Sequence, residues 1–125
     1  MTFKILWPGK TRNREVRSLE ELYIRKINRL GTCELIETKT AKGIPERFGE
    51  RIKEIEAEEL EKHIQDGYII CLFDKGREMS SEEFARFLDR LTLSSTRVVT
   101  FIVGGFLGLS ERIINRADFL LSLSG

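Results

Sequence analysis

Two short stretches of this chain have residue types able to hold a small ligand, Gly104-Gly105-Phe106-Leu107-Gly108 and Asp74-Lys75-Gly76-Arg77. Each follows an apolar run, residues 97–103 and 68–73, that lacks polar alternation and reads as a strand buried on both faces. Without a Cβ, Gly104, Gly105 and Gly108 can adopt φ > 0 and admit ligand atoms close to the backbone, just past a strand's carboxyl end, where open α/β sheets bind ligands. The same glycines also fit a plain strand-to-helix turn. Neither stretch pairs a nucleophile with a base. The chain has no Gly-x-Ser-x-Gly, no phosphate-loop Gly-Lys-Ser/Thr and no Gly-x-Gly-x-x-Gly after its first strand. Such a site would work by positioning two substrates, with proximity and orientation carrying the rate.

The other chemistry-bearing residues read more plainly. Glu54, Glu56, Glu58, Glu59 and Glu61 are interspersed with Lys53 and Lys62, the pattern of a solvated helix face rather than of a metal or acid/base site. His63, the only histidine, falls on the same segment and reads as a surface residue. Cys33 and Cys71 lie in apolar surroundings without metal-ligand spacing, as expected of reduced core residues in a cytoplasmic protein. No metal site is expected.

The elements that must position the two loops follow from periodicity. Residues 3–7 form a short apolar strand closed by Pro8-Gly9. Val16, Leu19, Leu22, Tyr23, Ile27 and Leu30 recur at helical spacing and stop at Gly31. Residues 33–38 read as strand two, followed by a loop marked by Gly43 and Pro45. Residues 46–65 read as a long, mostly exposed helix with a thin apolar stripe, Phe48, Ile52, Ile55, Leu60 and Ile64. After strand three, Ser80 and Glu83 make a capping-box signature for a helix whose inner face is Phe84, Phe87, Leu88 and Leu91. Ser110 is placed to cap a helix over 111–117, and residues 119–124 form an apolar fifth strand expected inside the sheet. The alternation of strands and helices predicts an α/β fold, a mostly parallel five-stranded sheet with helices on both faces.

A chain of 125 residues fits a single domain, and its 21 basic and 20 acidic side chains leave a net charge of +1. That balance excludes nucleic-acid binding driven by overall charge and leaves only local patches. No long apolar run or signal peptide points to a membrane.

The order Leu72-Phe73-Asp74-Lys75-Gly76-Arg77-Glu78-Met79-Ser80-Ser81-Glu82-Glu83-Phe84-Ala85, then Phe101-Ile102-Val103-Gly104-Gly105-x-x-Gly108-Leu109, then Leu121-Ser122-Leu123-Ser124, resembles the ribosomal RNA large subunit methyltransferase H family. The opening Lys4-Ile5-Leu6-Trp7-Pro8-Gly9-Lys10 also matches its first strand, so the resemblance spans the chain. It implies a small SPOUT-class fold of the trefoil-knot type. It further implies transfer of a methyl group from S-adenosyl-L-methionine to N3 of a pseudouridine in 23S rRNA, on assembled ribosomes, by a cytoplasmic homodimer. By the same resemblance Leu72, Gly104 and the segment Leu123-Ser124-Gly125 line the cofactor pocket, with backbone groups of Leu72 and Leu123 toward the adenine; no catalytic residue is assigned. For RNA, the candidates are Lys10, Arg12 and Arg14 beside the first strand-to-helix turn, residues that equally suit a solvated helix start.

Two features depart from the family. Phe106-Leu107 makes the glycine loop unusually apolar. Family members also continue beyond the point matching Gly125, through the segment that closes the knot, so the 125-residue chain is expected to be carboxyl-terminally incomplete and inactive alone. A non-catalytic nucleotide-binding or structural α/β module is the alternative.

Overall fold

Val99, Thr100, Phe101 and Ile102 are all buried, because the short apolar strand β4 (Val98–Ile102) has a parallel strand on each side and helices above and below. In the computed structural model, which describes residues 1–9, 17, 28–64, 67–104 and 108–122, β4 lies between β1 (Thr2–Pro8) and β3 (Tyr68–Glu78). β2 (Thr32–Thr38) and β5 (Phe119–Ser122) complete a sheet of order β2-β1-β4-β3-β5 in which every pair is parallel.

The two-residue strand period splits the apolar residues between two cores. Phe3, Ile5, Ile70 and Phe101 face helix α2 (Ser81–Leu93), which contributes Phe84, Leu88 and Leu91. Leu6, Cys71 and Ile102 face the other way, onto Ala57 and Leu60 of α1 (Gly49–Glu61) and Ile113 of α3 (Glu111–Ile114). Helices therefore cover both faces, as the alternating pattern predicts.

The capping box at α2 forms as read: Glu83 N–H donates to Ser80 Oγ at 3.1 Å, and Ser80 N–H donates to Glu83 Oε1 at 3.2 Å. That backbone N–H, then the Ser80 side chain, holds the Glu83 carboxyl below its usual range. A carboxyl lowered in the folded state adds stability above its unfolded value and loses it as pH falls through the folded one. Ser80→Ala should cost about 1 kcal/mol, with a smaller penalty at low pH, where Glu83 is already protonated. Urea denaturation of both proteins at neutral and acid pH checks this.

Several boundaries differ from the sequence reading, each for a local reason. The helix expected over residues 16–30 lies largely outside the described residues, of which Asn28 to Leu30 are helical. The charged segment begins as a 3-10 turn (Glu46–Phe48), and α1 ends at Glu61. Its acidic face is not wholly solvated: Glu56 is buried and accepts a 2.7 Å hydrogen bond from Thr40 Oγ1, while Glu61 and Glu54 pair with Arg112 of α3. His63 is half-buried.

β3 runs through the expected loop to Glu78, with a register shift between Leu72 and Arg77, both of which lie opposite Leu121. Ser110 does not cap α3 through its side chain; its carbonyl accepts from Ile113 and Ile114, and the helix stops at Ile114. β5 is an edge strand rather than an interior one, pairing with β3 alone among the described residues, and residues 123–125 lie outside them. Its start is fixed by Asp118, whose carboxylate accepts from Ile69 N–H and whose own N–H donates to Ile69 C=O, both at 2.8 Å.

Candidate active site

All five strands point the same way, so their carboxyl ends share one edge of the sheet, and the ladders end there in step. The last β3–β4 pair is Cys71 with Ile102 and the last β1–β4 pair is Leu6 with Ile102, after which Val103 N–H donates to Leu6 C=O at 2.9 Å. One step further along, Leu72 and Trp7 flank Val103, and Gly104 follows. The structure thus brings Leu72 and Gly104 to one edge, between neighbouring strands, as their place in the sequence suggests. The direction of chain crossing reverses between β1 and β4, so Gly104, which follows β4, borders the point where open α/β sheets form ligand crevices, and Leu72 of β3 lies on the far side of β4.

The Leu72 side chain is core, buried with Trp7, Val103 and Phe84. What it offers a ligand is backbone. Ile69 bonds toward β5 through Asp118, so the alternation of backbone polar groups along β3 turns Leu72 toward β4 and the crevice. Around Gly104 the chain folds back on itself. A Cβ there would lie 2.7 Å from the Gly108 carbonyl carbon and 2.9 Å from Leu109 N, and Gly108 makes the turn at φ 83°. The space that the missing side chain leaves is filled by the loop, so Gly104 is needed for the turn itself. Gly76 plays a similar part: a Cβ would come within 2.7 Å of the Leu120 carbonyl, so the expected Asp74 to Arg77 loop leans against β5. Gly105, Phe106 and Leu107, the cofactor candidates Leu123, Ser124 and Gly125, and the RNA candidates Lys10, Arg12 and Arg14 lie outside the described residues.

Two polar atoms at this edge were not singled out by sequence. Among the described residues, Trp7 Nε1 and Ser110 Oγ are buried without a hydrogen-bond partner, in residues that are each 4% exposed. Buried polar groups are normally satisfied, so both atoms are exceptions to the rule. The signal was present in Trp7, a polar-tipped aromatic at the last apolar position of β1, but its register next to Val103 only became visible in the sheet.

The thiol of Cys71 is excluded as a nucleophile. Burial first, and the Asp118 charge second, push it up to about 12, and Sγ lies 3.8 Å from the Ile113 carbonyl it donates to. Cys33, by contrast, is half-buried in β2. A thiol reagent at pH 8 should label Cys33 while Cys71 stays protected until the protein is unfolded, and mass spectrometry of the digested product reads this directly. Among the described residues no group of three or more His, Cys, Asp and Glu is arranged to hold a metal ion.

Behind the edge, α3 is strapped to α1 by Arg112. Its guanidinium donates a hydrogen bond to Glu61 Oε2 at 3.1 Å and forms an ion pair with Oε1; the hydrogen bond first, then the attraction of Glu61 and Glu54, raises the Arg112 pKa. These pairs are exposed and hold the helix that follows the glycine loop in register rather than adding much stability.

A parallel sheet with a glycine turn at the carboxyl end of its central strand is a frame on which two substrates can be brought together. The family model described as Predicted SPOUT methyltransferase matches residues 1–125. The chain is 34% identical over 128 residues to Ribosomal RNA large subunit methyltransferase H of Clostridium kluyveri, covering 99% of this chain and 80% of that protein. It is 33% identical to the protein of the same name from Bifidobacterium adolescentis, again over 99% and 80%, and 32% identical to that of Streptococcus agalactiae, over 98% and 79%. The chain belongs to the SPOUT methyltransferase family.

Proposed function

We propose that this protein methylates large-subunit ribosomal RNA with S-adenosyl-L-methionine as donor, at N3 of a pseudouridine. The juxtaposition of Leu72 backbone and the Gly104 turn at the carboxyl edge carries the reading, supported by whole-chain similarity to relatives of that name. The residues present fit the donor in one respect, the Leu72 backbone beside a glycine turn at the carboxyl edge, where a small ligand can approach main-chain groups. When bound, S-adenosyl-L-methionine supplies an electrophilic methyl group. The chain's own part is to hold the acceptor base in line, with the proton displaced from N3 passing to solvent. The rate then comes from orientation. The same resemblance supports a single domain over residues 1–125 that works as a homodimer.

The test is calorimetric titration with S-adenosyl-L-methionine, followed by transfer of labelled methyl to ribosomes that lack the modification. Saturable binding with label confined to 23S rRNA would support the reading. Binding without transfer would favour the non-catalytic nucleotide-binding module, and absence of both would remove the reading.

A further inference from the structure

A cavity of about 450 Å³ opens at the carboxyl ends of β1 and β2, lined by Gly9, Glu37, Thr38, Lys39, Thr40 and Lys42. Because every strand is parallel, it opens on the same edge of the sheet as Leu72 and Gly104. With strands about 4.8 Å apart, it is displaced from the β4–β3 crevice by roughly 10 Å. We propose that this cavity is a substrate-positioning subsite for RNA, in which Lys39 and Lys42 pair with backbone phosphates next to the nucleotide held in the crevice. The proposal rests on the rRNA methyltransferase reading and assigns residues that neither sequence patterning nor the cofactor site called for.

The cavity is built on a fixed floor. Gly9 N–H donates to Thr38 C=O at 3.1 Å, the buried Thr38 hydroxyl points to the Trp7 carbonyl at 3.4 Å, and Thr40 Oγ1 donates to buried Glu56 at 2.7 Å. The loop after β2 is therefore tied both to β1 and to α1. On that floor the two lysines are exposed, and among the described residues neither lies within ion-pair distance of a carboxylate. Lys39 acts on the Glu59 carboxylate through space without forming an ion pair with it, and Lys62 holds that carboxylate directly. The lining sets Lys39 and Lys42 against Glu37, with the Glu56 carboxylate held beneath by Thr40, and in the sequence Gly9 is followed by Lys10-Thr11-Arg12-Asn13-Arg14. In a protein whose net charge is only +1, phosphate recognition has to be concentrated locally, and this is a place where sequence and fold both concentrate it. The Thr40 hydroxyl spends its proton on Glu56 and so presents only lone pairs, which leaves the lysines to meet phosphate and lets the floor accept from a base or ribose.

The experiment compares the protein with its Lys39→Glu/Lys42→Glu double variant and with a charge-matched control, Arg51→Glu/Arg86→Glu, placed on α1 and α2. Binding to large ribosomal subunits is measured across a range of salt concentrations, together with S-adenosyl-L-methionine affinity and thermal stability. The double variant should keep cofactor affinity and melting temperature, bind the subunits about ten-fold or more weakly, and show a salt slope reduced by about 1 to 2, the change expected for two lost phosphate contacts. Equal weakening in the control, or an unchanged slope in the double variant, would overturn the proposal. So would competition by polyglutamate as effective as that by oligouridylate of matched charge, since the cavity would then sense charge without RNA. A wild-type protein that neither binds subunits nor methylates them fails the underlying function; one that does both while the double variant is unaffected fails the subsite alone.

Discussion

Gly104→Val should lose about 3 kcal/mol or more of folding stability, placing the damage in the fold before any ligand is involved. The three nearest atoms to a Cβ at this position are all backbone, at 2.7 Å, 2.9 Å and 3.0 Å, on Gly108 and Leu109. No flexible side chain is there to give way, and the two further methyls of valine only enlarge the clash. The turn would have to open, pulling Leu109 out of the core that it shares with Leu6 and Ile102. Gly108→Ala is the informative comparison. Its Cβ would meet nothing within 4 Å, so the cost is limited to the left-handed backbone at φ 83°, about 1–2 kcal/mol. Urea denaturation should rank the two with Gly104→Val clearly worse, and loss of S-adenosyl-L-methionine affinity should track loss of structure. A Gly104→Val protein with wild-type stability and no cofactor affinity would show instead that the space beside Gly104 belongs to the ligand.

That expected result departs from the ligand-approach reading of Gly104 in the sequence and agrees with the strand-to-helix turn that the same glycines suit. Types and spacing mark Gly104 as special but do not tell which atoms come close to it. The strands themselves were legible because burial on both faces removes polar alternation: residues 68–73 and 97–103 leave little else for such runs to be. Ser80 with Glu83 was legible because a capping box is local. What was hidden depends on partners distant in sequence. Glu56 looks like its neighbours until Thr40, sixteen residues earlier, is brought against it. Gly76 looks like a loop glycine until β5 passes over it, and Ser110 like a cap until its hydroxyl turns inward. Leu72 and Gly104 come to the same edge because the β3–β4 ladder ends at Cys71 and Ile102, one and two residues before them.

Phe84→Ala should produce a stability loss of about 3–5 kcal/mol, against a typical total of about 5–15 kcal/mol for a domain. Phe84 is fully buried on the inner face of α2, its ring 6.0 Å from that of Phe101 in the central strand and 6.5 Å from that of Phe87. Truncation removes the contact between α2 and the middle of the sheet and leaves a void that Leu88 and Ile70 cannot both fill, since each already packs on a strand or helix of fixed register. Phe87 provides the internal control. It is half-buried, with its ring 4.9 Å from that of the edge-strand residue Phe119, and its truncation removes less apolar contact. For a chain of this length each kcal/mol moves the melting temperature by roughly 3–6 °C, so Phe84→Ala should melt about 10 °C or more below the parent and Phe87→Ala much less. The core around Phe84 also contains Trp7, Leu72 and Val103, the residues that carry the carboxyl edge. A cavity there should loosen the crevice, so S-adenosyl-L-methionine affinity should fall in Phe84→Ala even at temperatures where the protein remains folded. Melting followed by circular dichroism, with titration at 15 °C, separates the two effects. Equal melting temperatures for the two variants would mean that α2 meets the sheet through a different face, and unchanged affinity in a destabilised Phe84→Ala would mean that the edge is held independently of the core beneath it.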